Sequence, residues 1–416
     1  MQTDLTAALP VSFDDVRAAS AAIDGLVIRT PTLPSPRLSA ATGASVFVKY
    51  ETLQATGSFK DRGAANRLLH LTEDERRRGV VTLSAGNHAQ AVAFRSSELG
   101  VPATIVMPVT TPSVKVARTE AYGARVKLEG ETIAECQEAV RALMEAEGLT
   151  LVHPYDDPLV MAGQGTVGIE MLAAAPELDC IVVPVGGGGL ISGVAVAAKA
   201  INPDIEIIGV EVAGFPSMVA ALRGEAAQCG GDTLAEGIAV KNVSATAVEI
   251  ARHLVSDVVT VEEDHIEGAI YAFLVQQHTL AEGAGAASLA ALSAQPERFA
   301  GRRVGLILTG GNIDPRLLSA ITVRALERAD QVVGLRVTVR DRPGELARVT
   351  EIIGREKANI LEVSHHRMLL NVPAMRVTID LALETRDKAH AERLVGALKA
   401  AGMSVSYIDP FTAAVS

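Results

Sequence analysis

The run Ile181-Val182-Val183-Pro184-Val185-Gly186-Gly187-Gly188-Gly189-Leu190 decides how this chain folds. No charged residue occurs from Ile181 to Ala198, so the run approaches the length of a membrane span. A span would place Pro184 and four consecutive glycines inside a helix, where each residue is unfavourable by roughly 1–3 kcal/mol. A buried strand, a tight glycine turn and a following helix avoid that cost. Strand, loop, helix is the repeating unit of a parallel sheet covered on both faces.

The rest of the chain repeats this unit. Before the glycine run, 79–83, 103–107 and 125–128 read as strands, with helices over 88–99 and 113–122. A second set of strands covers 150–153, 181–185, 206–212, 257–261 and 303–308, with helices near 163–173, 191–200, 266–277 and 315–328. A further strand, 46–51, runs toward Ser58-Phe59-Lys60-Asp61-Arg62-Gly63-Ala64, and this stretch puts a lysine at a strand-to-helix turn. Two α/β sheets are expected, with Lys60 at their join, where ligands bind beyond the carboxyl ends of parallel strands. Past Asp330 the order becomes βαββαβ: strands 332–340, 359–367, 375–383 and 404–408, helices 343–357 and 387–401. The expected domains are therefore 1–330, catalytic, and 331–416, a separate ferredoxin-like module.

Composition narrows the function. Of the 416 residues, 48% are hydrophobic and 21% charged, which fits a globular chain with a large core. The net charge of -11 and the lack of a basic patch argue against nucleic acid; Arg76-Arg77-Arg78 follows Glu73, Asp74 and Glu75 and reads as one solvated helix face. Three widely spaced cysteines, Cys136, Cys180 and Cys229, form neither a disulfide framework nor a zinc spacing. A cytoplasmic protein without a membrane span is expected, and residues 1–10 show no secretory pattern.

Four short stretches have the residue types for chemistry. Gly186, Gly187, Gly188, Gly189 and Leu190 can converge their backbone N–H groups on a phosphate at a helix N-terminus. The same turn also serves to pack a helix close to a sheet, and it lacks the G-x-G-x-x-G spacing of a dinucleotide site. Leu308-Thr309-Gly310-Gly311-Asn312 presents a neutral hydroxyl at a strand end. Ser84-Ala85-Gly86-Asn87-His88 offers short polar groups at a helix start, with His88 readable as a cap. Lys60 becomes a nucleophile or base if its ammonium is desolvated; as half of a solvated pair with Arg62 it would do nothing.

In this order and at these separations, SFKDRGA, SAGNHAQ, GGGGL and TGGN resemble the pyridoxal-phosphate enzymes of the tryptophan-synthase-β type, specifically threonine and serine dehydratases, over roughly residues 15–325. The segment Asp341-Arg342-Pro343-Gly344-Glu345-Leu346 resembles the start of an ACT regulatory domain. The resemblance implies a two-domain fold type II enzyme, an α/β protein with a smaller mobile subdomain at about 53–132, and pyridoxal 5'-phosphate as cofactor. It makes Lys60 the Schiff-base lysine, with Phe59 against one ring face and Ser58 as acid or base on the other. It assigns Asn87 to the ring hydroxyl, Thr309 to the pyridine nitrogen, Gly186 to Leu190 to the phosphate, and Gly237 and Glu282 to segments near the cofactor. It gives Ser84, Ala85, Gly86 and His88 to the substrate carboxylate.

The implied reaction is deamination of L-threonine to 2-oxobutanoate and ammonia by β-elimination, in a homodimer or homotetramer. Serine dehydratase, serine racemase and 3-hydroxyaspartate ammonia-lyase would use nearly the same residues, and a non-catalytic amino-acid sensor is the reading from another class. An amino-acid effector is expected near Asp341, Pro343, Gly344 and Leu346 and near Asn359 and Ile360. Some relatives hold a divalent metal through an acidic pair, but Glu211-Val212-Ala213-Gly214-Phe215-Pro216-Ser217 has no second carboxylate, so no divalent site is expected and a monovalent ion stays open.

Overall fold

The computed structural model describes residues 9–367 and 375–410, so most of the N-terminal stretch read for a secretory pattern lies outside it. The chain divides into two compact units, Met1–Ile313 and Asp314–Ser416.

The first unit holds two sheets. The larger has six strands in the order Thr32–Pro34, Ser45–Tyr50, Arg303–Leu308, Cys180–Pro184, Glu206–Val212, Asp257–Val261, all parallel except the first. Every residue of Cys180–Pro184 is buried, as the uncharged run requires of a central strand covered on both faces. The helix Gly189–Ile201 follows it and packs on Pro158–Ala174, completing the strand, turn, helix parse.

The smaller sheet is parallel throughout, in the order Arg125–Leu128, Ala103–Met107, Val80–Leu83, Thr150–Leu151. Here the structure differs from the sequence reading, which grouped 150–153 with the later strands. The helix Ile133–Glu147 carries the chain back across this sheet, and Thr150 and Leu151 pair with Val80 and Val81. Two residues are too few for a hydrophobic pattern to show which sheet a strand joins.

A buried charge cluster fixes the helix that begins at Lys60. Arg62 is fully buried and donates to both Glu51 oxygens at 2.7 Å and to Glu170 at 2.7 and 2.9 Å. Lys49, also fully buried, donates to Glu170 and to the Thr30 carbonyl, so two cations and two carboxylates balance. Burial alone would raise the Glu51 carboxyl, but the Arg62 guanidinium, with Lys49 and the Thr30 hydroxyl, holds the group below its ordinary range. The solvated Lys60–Arg62 pair is therefore excluded. Arg76, Arg77 and Arg78, by contrast, lie on the helix Glu73–Arg78, which buries no residue.

The second unit carries the helix Pro315–Arg328 and a four-stranded antiparallel sheet in the order Asn359–His366, Arg376–Glu384, Val332–Arg340, Ser404–Ile408. Alternate residues Leu335, Val337, Ile379 and Leu381 form its core with Val349, Ile353, Leu394 and Leu398 of the helices Glu345–Arg355 and Lys388–Ala400. The βαββαβ order matches the sequence reading.

Removing one member of a buried ion cluster leaves the others uncompensated, which typically costs about 3–5 kcal/mol. Arg62→Ala should therefore lower the urea midpoint of the first unit strongly, whereas Arg17→Ala, which removes an exposed pair with Asp14, should leave it nearly unchanged. Equal midpoints for the two variants would contradict this account.

Candidate active site

Three neighbouring parallel strands of the larger sheet run into three of the four motifs. Tyr50 lies opposite Leu308, and Leu306 opposite Val182, so the segment leading to Lys60, the Thr309 turn and the tetraglycine turn leave the sheet side by side. Main-chain bonds stitch the first two together: the Phe59 amide donates to the Thr309 carbonyl at 3.0 Å, the Gly311 amide to Gly57 at 3.0 Å, and Ser58 pairs with Gly310.

The fourth motif joins through side chains. Asn312 Nδ2 donates to the Thr56 carbonyl and to Asn87 Oδ1, each at 2.8 Å. Asn87 Nδ2 donates to Glu282 Oε1 at 2.6 Å, and the Glu282 amide donates to the Gly310 carbonyl at 3.1 Å. Burial pushes the Glu282 carboxyl up to about 7 despite the Asn87 bond. Asn87 keeps one amide hydrogen free for a ligand. Gly237, in the turn Glu236–Ile238, lies against Ala284 close to Glu282.

Lys60 is the first residue of the helix Lys60–Leu69, with Phe59 at its cap. Its ammonium donates to the Pro154 carbonyl at 2.6 Å and sits 5.1 Å from the Phe59 ring centroid. Burial is the cause that lowers its pKa, to about 8, and no carboxylate among the described residues pairs with it. Beside it the Ser58 hydroxyl is buried without a partner.

The helix Asn87–Glu98 starts at the Ser84 loop, and the amides of Ala85, Asn87 and His88 donate to no carbonyl there, which suits a carboxylate. His88 itself is buried, and its Nε2 lies 3.0 Å from the Val152 carbonyl, so its main-chain N–H, rather than its ring, is what it offers that loop. Burial, followed by the charge of Lys60, lowers its pKa to about 3, which keeps the ring neutral.

The tetraglycine turn is a set of main-chain donors without main-chain acceptors. None of the amides of Gly186, Gly187, Gly188, Gly189 and Leu190 donates to a backbone carbonyl, and all but Gly186 are buried. Gly188 adopts φ 92°, and a Cβ there would lie 2.4 Å from that of Ala247, so only glycine fits. Buried main-chain donors are rarely left unmet, and four in a row at a helix start, with Gly186 beside them, fit a phosphate. With an amine nearby that burial favours in its neutral form, and Thr309 buried at the adjacent strand end, the residues fit pyridoxal phosphate.

Glu211 is buried and accepts from the amides of Met218 and Val219 at 2.6 and 3.0 Å; burial raises it to about 7. Among the described residues no group of three or more His, Cys, Asp or Glu is placed to hold a metal, and no helix is long and apolar enough to cross a membrane.

In the second unit the expected effector residues do not meet within one chain. Asn359 and Ile360 pair with Glu384 and Leu383, opposite the start of the strand Val332–Arg340, whereas Asp341, Pro343, Gly344 and Leu346 follow its far end. A nine-residue strand separates them, which is about 30 Å.

Sequence reasoning missed the Pro154 carbonyl, which left no signal because it acts through the main chain, and Glu170, which lies 108 residues from its partner Arg62. Asn312 was legible within the TGGN motif, but its bridging role was not.

The profile of the family described as pyridoxal-phosphate dependent enzyme matches residues 23–310, and that of the ACT domain matches residues 328–402. The chain is 42% identical to an L-threonine ammonia-lyase of Thermotoga maritima over 96% of its own length and 100% of that protein. Among solved structures it resembles a threonine deaminase from T.th., with 38% identity, TM-score 0.69, 73% of this chain and 99% of that one. It also resembles the serine racemase of Dictyostelium discoideum, with 34% identity, TM-score 0.69, 73% of this chain and 99% of that one.

The lowered pKa of Lys60 has a direct readout. Below about pH 8 the amine is charged and unreactive; above it the amine is neutral. Labelling of Lys60 by trinitrobenzenesulfonate, followed by peptide mapping, should therefore rise through about pH 8 rather than through the ordinary lysine value of 10.5. A labelling midpoint at the ordinary value would contradict the desolvated amine.

Proposed function

This chain belongs to the pyridoxal-phosphate dependent enzyme family and carries an ACT domain, and from that premise we infer that it is an L-threonine ammonia-lyase. It converts L-threonine to 2-oxobutanoate and ammonia, the water lost in the elimination being returned in the hydrolysis that releases ammonia. The observation that carries this reading is the pairing of a desolvated lysine with an unmet set of main-chain donors.

Bound between Lys60 and the tetraglycine turn, pyridoxal phosphate supplies the electron sink for loss of the α-proton and the β-substituent. The chain's own residues do the rest. Lys60, with its pKa near 8, carries a proton at Nζ to or from the substrate, and the Pro154 carbonyl keeps that amine in place when it is free. The helix start at Ser84, Ala85, Gly86 and Asn87 receives the substrate carboxylate. Ser58, its hydroxyl buried and unpartnered, exchanges a proton on the opposite face. Thr309, buried at the strand end, would offer the ring nitrogen a neutral hydroxyl rather than a carboxylate, which would favour elimination over reactions that need a protonated ring.

The ACT domain is the seat of amino-acid control, by isoleucine or valine in this reading. If one effector touches both Asp341 to Leu346 and Asn359 to Ile360, it lies between two copies of the chain, because a strand's length separates them in one. A homodimer or homotetramer follows, supported by Leu361, Val363 and Tyr407, which are exposed on the two edge strands of the sheet. Three free cysteines support a cytoplasmic setting.

A substrate panel tests the reading. L-threonine should give 2-oxobutanoate with a higher kcat/KM than L-serine or 3-hydroxyaspartate, and Lys60→Ala should remove turnover. Removal of the chain after residue 330 should abolish any response to isoleucine and valine while leaving turnover in place. Turnover of L-threonine slower than of L-serine would move the assignment to the serine enzymes.

A further inference from the structure

His153 leaves the strand next to the one that runs into the Ser84 loop, and neither the sequence motifs nor the reading above uses it. Thr150–Leu151 is the parallel neighbour of Val80–Leu83, with Thr150 opposite Val80 and Leu151 opposite Val81. Continuing that register sets His153 beside Leu83, one residue before Ser84. The donor loop for the carboxylate and His153 therefore leave adjacent strands, about 4.8 Å apart. The bond between His88 Nε2 and the Val152 carbonyl ties the two strand ends together, and the next carbonyl but one, at Pro154, holds the Lys60 amine.

The imidazole is fixed in one tautomer. Its Nδ1 accepts from the amides of Asp156 at 2.8 Å and Tyr155 at 3.3 Å, so in the neutral ring the hydrogen must be on Nε2. Burial, opposed by Asp156 and reinforced by the charge of Lys60, lowers the pKa of the ring and keeps it neutral. The ring packs edge-on against Tyr155, with centroids 4.7 Å apart, and Tyr155 is held by its hydroxyl donating to the Asn242 carbonyl at 3.1 Å. Nε2 has no partner among the described residues, and it is not among the fully buried side-chain atoms left unpartnered.

We propose that His153 is a substrate-binding residue whose Nε2–H donates to the β-hydroxyl of the bound amino acid. This rests on the ammonia-lyase reading. With the carboxylate at the Ser84 loop and the α-amino group near Lys60, the β-oxygen is the remaining polar atom of L-threonine and falls toward the neighbouring strand end. A neutral N–H suits it: it polarises the carbon–oxygen bond and marks the substrate as hydroxylated, while adding no charge that would attract an acidic side chain.

The test compares leaving groups in the cofactor-loaded enzyme. Wild-type turnover of L-threonine and of L-β-chloroalanine tests the ammonia-lyase reading; the variant-to-wild-type ratio for each substrate tests His153. For His153→Ala, kcat/KM for L-threonine should fall about 10- to 100-fold and that for L-β-chloroalanine, whose chloride leaves without a donor, less than about threefold. His153→Gln, which keeps an N–H donor, should recover part of the threonine activity. Equilibrium binding of L-2-aminobutyrate, which lacks the β-oxygen, should be unchanged in both variants. Equal losses for both substrates, weakened L-2-aminobutyrate binding, or full threonine activity in His153→Ala would each overturn the proposal.

Discussion

A lysine at this site has to be taken out of water without being given a counter-charge, and the rest of the first unit is arranged around that constraint. A carboxylate beside Lys60 would favour its ammonium and undo what burial achieves. The residues that follow it in sequence, Asp61 and Arg62, are both charged and both buried, yet each is neutralised away from the amine. Asp61 accepts from the Thr56 hydroxyl and from Arg95, and Arg62 lies between Glu51 and Glu170. Lys60 is left with a carbonyl and an aromatic ring. These ion pairs therefore act as more than a source of stability, which buried ion pairs supply poorly; they hold the helix whose first residue is left without a counter-charge.

Sheet topology does the second part. Because the first long strand of the larger sheet pairs with the last, residues some 250 positions apart become neighbours, and the Phe59 to Thr309 bond closes the loop. The next strand over ends in the glycine turn. One sheet end thus presents an amine, a neutral hydroxyl and a turn of unmet amides from three adjacent strands, while the smaller sheet contributes the loop at Ser84. Asn87, Glu282 and Asn312 bridge the two.

Much of this was legible in the residues. An uncharged run broken by proline and glycines favoured a strand, turn and helix over a membrane span, and the four motifs marked stretches that the structure brings together. What was not legible depended on pairing between distant segments. The strand Thr150–Leu151 was too short to declare its sheet, Arg62 looked like a surface residue until Glu51 and Glu170 were seen around it, and the Pro154 carbonyl has no side-chain signature at all. In the second unit the strand alternation was plain, but that the two expected effector segments lie at opposite ends of one strand required the register.

The central claim is that one amine, at Lys60, is the point of covalent attachment. Loading the full chain with pyridoxal phosphate, reducing it with borohydride and mapping the pyridoxyl mass by peptide sequencing tests this most directly. The account predicts one modified peptide, that containing Lys60, together with loss of visible absorbance on reduction. Modification at Lys49 or at a surface lysine in place of Lys60, or no modification of the loaded protein, would contradict it.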